Sequence, residues 1–209
     1  VATKSGTGFL LPLALVAAGV FFWPQIEDGA SDILGGATGG VELIGEGEHS
    51  FLVAASASSQ VHRCTPRQSL ADGACEELKF IVLDAAKMPF IGRNVSEAWQ
   101  SGKPGVLTKE SNAETQNRKY VCTKSFPRPH GGECDEYPFA STRQGGKGAR
   151  ETEVPSRENR CQGGTINAQQ IIRGINDGDD YLVVITNPGQ IATGDYQGVD
   201  IAIDRGTCG

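Results

Sequence analysis

Asp135 and Glu136 stand side by side, directly after Cys134 and directly before Tyr137-Pro138-Phe139. Loops with lysine, arginine and glycine lie on both sides: residues 124–132 upstream, and Gln144-Gly145-Gly146-Lys147-Gly148 downstream. An isolated Asp-Glu pair is most often two solvated turn acids. Between basic loops it suits a different task. Phosphodiester hydrolysis needs a base for the attacking water, a cation to stabilise charge on the phosphate and leaving oxygen, and positive groups that position the backbone. A patch that only binds phosphates gains nothing from two carboxylates beside them.

The 209 residues carry a formal charge of −6, which by itself argues against a polyanionic partner. The distribution argues otherwise. Residues 1–117 are net −5 and residues 161–209 net −4, whereas residues 118–160 hold nine Lys/Arg against six Asp/Glu and are net +3. The one basic block surrounds the carboxylate pair. A chain of this length can build one good core, and 28 glycines predict many turns and short elements. Cys64, Cys75, Cys122, Cys134, Cys161 and Cys208 contain no C-x-x-C pair, which argues against structural zinc and for three disulfides in an oxidising compartment. Six cysteines allow about 15 pairings, and sequence does not choose among them. Local closure favours Cys64–Cys75 and Cys122–Cys134, leaving Cys161–Cys208.

The elements that would position the pair follow in chain order. Residues 1–23 combine a basic start with an uncharged apolar run at 9–23, interrupted by Pro12, and read as a signal peptide or a membrane anchor. Residues 24–40 read as a linker, and 41–77 as an N-terminal extension whose runs at 41–44 and 51–55 predict a hairpin. The main core is expected from residue 78 onward. Strands are predicted at 78–83, 106–108, 151–155 and 199–203. The strongest, at 181–185, is placed centrally. Asn94 or Ser96 is expected to cap a short helix through Trp99; Asn94-Val95-Ser96 also fits a glycosylation acceptor. Residues 156–164 read as a polar loop, with Thr165 capping a helix that stops at Gly174 or Gly178. Phe139 is expected in the core.

Cys-Asp-Glu-Tyr-Pro-Phe-Ala-Ser-Thr at 134–142, Gly145-Gly146-x-Gly148-Ala149, and Asn159-Arg160 with Gly163, Gly164 and Gln169 resemble the NucA/NucB family of secreted bacterial deoxyribonucleases. Gly102-Lys103-Pro104, Asn117-Arg118 and the stretch 179–185 extend the likeness, which covers about residues 78–187. It implies a NucA/NucB-like nuclease domain over 78–209. The implied fold is α+β: a small mixed or antiparallel sheet with a ββα-metal nuclease motif, here disulfide-stabilised. It also implies Asp135 as general base, where related nucleases often use histidine. An ordinary aspartate pKa of about 3.9 is low for that task, so burial or Glu136 would have to raise it. Glu136 is then a modulator or a metal ligand.

The helix side is expected to supply further ligands from Asn159, Asn167 and Gln169, and oxygen and amide donors suit Mg²⁺ or Mn²⁺. Family members commonly carry adjacent Asn-Gln where this chain has Asn167-Ala168-Gln169, so the helix ligand stays open. Some carry arginine where Cys134 stands. Lys124, Arg128, Arg143, Lys147 and Arg160 are the candidate phosphate contacts, with Arg160 foremost and assigned to the catalytic set. His130 sits in a glycine-bounded loop that suits DNA contact, with the base role as its alternative. His49 and His62 lie outside the likeness.

Three functions fit these residues. One is a secreted, metal-dependent, sequence-nonspecific endonuclease acting on DNA. A second gives the same chemistry to an exported antibacterial effector with an immunity or inhibitor protein as partner. The third is a non-catalytic surface module that binds polyanions. A monomer is expected, extracellular or held outside a membrane by residues 9–23.

Overall fold

Strand β4 (Leu78–Asp84) and strand β8 (Asp180–Thr186) run parallel and in register, Lys79 opposite Tyr181 through Asp84 opposite Thr186. They are the centre of the sheet, and their apolar runs explain why. Ile81, Leu83, Tyr181, Val183 and Ile185 enter one core; Phe80, Leu182 and Val184 enter a second core on the opposite face. A strand buried on both faces reads as a continuous apolar run, since alternate side chains leave on opposite sides. This computed structural model describes residues 39–208. The expected signal or anchor at 1–23, and the linker up to residue 38, lie outside the described residues.

In chain order the other strands are β1 (Val41–Ile44), β2 (Phe51–Ala54), β3 (Ala74–Cys75), β5 (Val106–Thr108), β6 (Glu133–Tyr137) and β7 (Arg150–Val154). The main sheet runs β1-β2-β8-β4-β3, with β5 also paired to β8; β6 and β7 form a separate antiparallel hairpin. The helices are α1 (Ser58–Val61), α2 (Pro66–Asp72), α3 (Pro89–Gln100), α4 (Glu114–Asn117) and α5 (Ser156–Ile172). The result is the α+β arrangement with a mixed sheet, and the disulfides are the two that local closure favours, Cys64–Cys75 and Cys122–Cys134, with Cys161–Cys208 the remaining pair.

Residues 41–77 are less peripheral than their sequence suggests. Phe51 and Val53 are fully buried, and β2 pairs directly with β8, so the second core begins before residue 78. Even the last glycines of the expected linker are fixed. Gly40 N–H donates to Trp99 O at 3.0 Å, and a Cβ on Gly39 would stand 2.2 Å from Gln100 O.

Three local expectations are corrected. Helix α3 begins at Pro89, not near Asn94, so Asn94 sits in mid-helix and fully buried, neither a cap nor a glycan acceptor. Residues 156–164 are the first half of α5, not a loop, and Thr165 lies within the helix. Gly174, at φ +58, follows the helix end as the left-handed residue such ends favour. Residues 199–203 form no strand. Val199, Ile201 and Ile203 are exposed, while Arg157 holds Asp200 and Cys161 holds Cys208, so this tail is pinned by side chains and not by a ladder.

The start of α3 shows how α5 organises its neighbours. Met88, in the N-cap position, makes no side-chain cap. Instead Glu158 Oε2, fully buried on α5, accepts from Phe90 N–H at 2.9 Å and Ile91 N–H at 3.1 Å. Burial raises this carboxyl to about 7 despite those donors. Glu158→Ala leaves two buried N–H groups unpaired and is expected to cost about 3 kcal/mol. That is a fall in Tm of roughly 10 °C in a thermal melt; a fall under about 2 °C contradicts the capping role.

Candidate active site

Helix α5 lies across the β6–β7 hairpin, and the first residues of the helix and strand fix their distance. Asn159 Nδ2 donates to Glu133 Oε2 at 2.8 Å. In β6, Glu133, Asp135 and Tyr137 leave one face and Cys134 and Glu136 the other, since successive side chains alternate. Asp135 therefore shares the face that meets Asn159. The end of β6 is held by Trp99 Nε1, which donates to Tyr137 OH at 2.9 Å, while that hydroxyl donates to Pro104 O at 2.8 Å. Tyr137 and Phe139, two residues apart, stay on one side of the chain, since alternate residues share a face. The strand ends at Tyr137, and the two rings meet at 5.1 Å in one core.

A cleft of about 390 Å³ opens beside this unit, lined by Asp135 and Glu136 of β6 and by Asn159, Gln162, Asn167 and Gln170 of α5, with Lys109, Glu114 and Arg118 on the far wall. Asp135 is only 2 % exposed. Asn94 Nδ2 donates to its Oδ2 at 2.6 Å, and Gln162 lies beside it. Burial lifts the Asp135 carboxyl to about 7 and the Glu136 charge adds to the rise, outweighing the amides that favour the anion. This is the perturbation that a general base near neutrality requires. Glu136, 8 % exposed, is also raised by burial, but Arg118 and the Ala140 N–H pull the other way.

The far wall is built by a polar clamp. Asn117 Nδ2 donates to Ala140 O at 2.8 Å and Thr142 O at 3.0 Å, tying α4 to the segment after Phe139. Gly146, at φ +85, packs on the same amide; a Cβ there would stand 2.5 Å from Asn117 Oδ1. The clamp carries Arg118 to the cleft mouth. There its Nε donates to Glu114 at 2.9 Å and its Nη1 comes within 3.9 Å of Glu136.

Several expected site residues stand elsewhere. Both polar atoms of the Gln169 side chain are taken by β4: Nε2 donates to Val82 O at 2.7 Å, and Oε1 accepts from Val82 N–H at 2.8 Å. The amide thus completes a strand edge that has no ladder partner there, and Gln169 is not a cleft ligand. Arg160 is exposed outside the cleft lining and donates back to Ser156 O at 3.0 Å. Lys124, Arg128, His130, Arg143 and Lys147 also lie outside the lining. Arg128 donates to Phe126 O, Arg143 pairs with Glu110 at 3.4 Å, and the His130 ring packs edge-on against Tyr196.

The cleft cations are instead Arg118 and Lys109. The resemblance includes Arg118, but its neighbour Asn117 is what brings it to the site. Asn94, Gln162 and Gln170 carried no sequence signal as site residues: Asn94 read as a helix cap and Gln162 as part of a polar loop. Sγ of Cys122 and Cys134 and an oxygen of Glu151 lie within 4.8 Å of one another. The sulfurs are bonded to each other, so this group offers no thiolate to a metal.

Residues 93–184 match the family model for deoxyribonuclease NucA/NucB, and no curated protein matches the chain. That span holds Asn94, Arg118, the β6–β7 hairpin and all of α5. The chain carries a domain of the NucA/NucB deoxyribonuclease family.

Proposed function

We propose that this protein is an exported endonuclease that hydrolyses DNA phosphodiester bonds without sequence selectivity, with Asp135 as general base. The observation that carries this is a buried carboxyl, raised to about 7, opening into a cleft shared with an amide-bearing helix. In its deprotonated form Asp135 takes a proton from water. Arg118 and Lys109 face the phosphates, and Glu136 holds up the Asp135 pKa while pairing with Arg118. Three disulfides fit an oxidising destination. No helix among the described residues is long and apolar enough to cross a membrane.

The cleft also fits a divalent cation. It offers two cations against three carboxyls, Glu114, Asp135 and Glu136, so a phosphodiester entering it needs further positive charge. Its donors are carboxylate and amide oxygens, which suit Mg²⁺ or Mn²⁺. Asn159 is the helix residue we assign to such an ion, because its Nδ2 is spent on Glu133 and its Oδ1 meets no partner among the described residues. Asn167 is eight residues on, about 12 Å along the helix axis, too far to share that ion. It is left to water or the DNA strand. When bound, the ion stabilises negative charge on the phosphate and the leaving oxygen.

Arg118→Ala tests the phosphate assignment. It is expected to raise KM for DNA about tenfold and to lower the salt slope of binding by about one. Lys124→Ala and Lys147→Ala leave both nearly unchanged. An unaltered salt slope for Arg118→Ala removes it from the interface.

A further inference from the structure

Asn94 is an amide in the middle of α3, fully buried, outside the cleft lining, and turned toward Asp135. Its Nδ2 donates to Asp135 Oδ2 at 2.6 Å and approaches Asp135 O at 3.4 Å, so one nitrogen grips both the side chain and the backbone of the same residue. We propose that Asn94 is a positioning residue for the hydrolytic reaction: it fixes the Asp135 carboxylate from behind, so that Oδ1 faces the cleft. This rests on the reading of Asp135 as base and adds the device that aims it.

The amide does not occupy this site for its own satisfaction. Its Oδ1 is buried with no hydrogen-bond partner among the described residues. A leucine of similar size would fill the space without that orphan acceptor, so packing alone does not account for asparagine here. The contact to Asp135 does. An aspartate on a strand with one free edge has a rotatable side chain, and a proton acceptor is effective only when aimed at the attacking water. Gln162 of α5 lines the cleft beside the same carboxyl.

The helix that carries Asn94 is itself set by the site. Glu158 of α5 caps the start of α3, and its neighbour Asn159 holds Glu133, two residues before Asp135. Arg93 and Glu97, on either side of Asn94, join Arg150 of β7, Arg93 meeting Glu97 at 2.6 Å. Helix α3 is therefore locked to both α5 and the hairpin, and a buried amide on it has a fixed aim.

The test is steady-state cleavage of DNA by the full chain with Mg²⁺, comparing Asn94→Leu and Asn94→Ser with the parent, each with a thermal melt. Both variants are expected to fold, to lose kcat by about 10²-fold and to keep KM within about twofold, because the amide never meets DNA. In an Asp135→Asn background, Asn94→Leu is expected to change the residual rate by less than about twofold, since its effect runs through that carboxylate. A folded Asn94→Leu protein with parental kcat overturns the proposal. So does a rise in KM at unchanged kcat, or a full second loss in the Asp135→Asn background. Failure of both variants to fold assigns Asn94 to the core and overturns it as well. If Asp135→Asn itself keeps parental activity, the base assignment fails first and separately.

Discussion

Asp135→Asn is expected to lower kcat for DNA cleavage by about 10²–10⁴-fold with little change in KM, the range lost when a general base is removed. The variant keeps the shape of the side chain and its contact to Asn94, so folding and DNA retention should survive. The parent enzyme should show the matching pH dependence. A base works deprotonated, and burial has raised this one to about 7. The rate is therefore full above that pH and falls as pH drops through it, about tenfold per unit. A group left at the ordinary aspartate value would instead hold the rate flat down to about pH 4. A profile that stays flat from about pH 8 down to about pH 5, together with a fully active Asp135→Asn, removes Asp135 from the chemistry.

The second large effect is on stability. Cys161–Cys208 joins residues 47 apart, against 11 for Cys64–Cys75 and 12 for Cys122–Cys134. In the chain-entropy account, the longer loop makes its removal cost about 4 kcal/mol, against about 3 for either of the others. The bond also ties the tail to α5, where Arg157 already grips Asp200 and Lys87 Nζ donates to Thr207 O at 2.7 Å. Those contacts keep the tail near the helix but do not replace the covalent limit on the unfolded chain. Cys161→Ser with Cys208→Ser should thus show the lowest denaturant midpoint of the three paired-serine variants. Activity per folded molecule should stay near parental, because neither cysteine lines the cleft. A smaller loss than that of the Cys64–Cys75 variant contradicts this ranking.

The parts of the fold that were legible from sequence are those whose side chains enter the cores. Residues 78–83 and 181–185 read as strands because they are buried on both faces. The first half of α5 did not read as a helix because its buried side chains are Glu158, Cys161 and Gln162, and Gly163 and Gly164 follow them. A helix announces itself in sequence by an apolar stripe, and this one packs its start through a carboxyl, a disulfide and amides. The strand expected at 199–203 failed for the converse reason: its apolar residues alternate correctly but face solvent.

The site divides in the same way. Asp135, Glu136 and Asn159 are named by the motif, and all three line the cleft. Gln169 was misplaced because sequence does not show that Val82 lacks a ladder partner at its edge. Lys124, Arg128, Arg143 and Lys147 were named because they flank Asp135 in the chain, and Arg160 because Asn159 precedes it, yet none of them lines the cleft. Arg118 reaches the cleft from well upstream through the Asn117 clamp.

The decisive measurement is cleavage of plasmid DNA by the full chain with Mg²⁺ or Mn²⁺, with EDTA and with the metal restored. Cleavage that stops with EDTA and returns with the ion is expected. DNA retention that weakens steeply with salt, with no cleavage in any divalent cation, would contradict a hydrolytic role and leave a polyanion-binding surface.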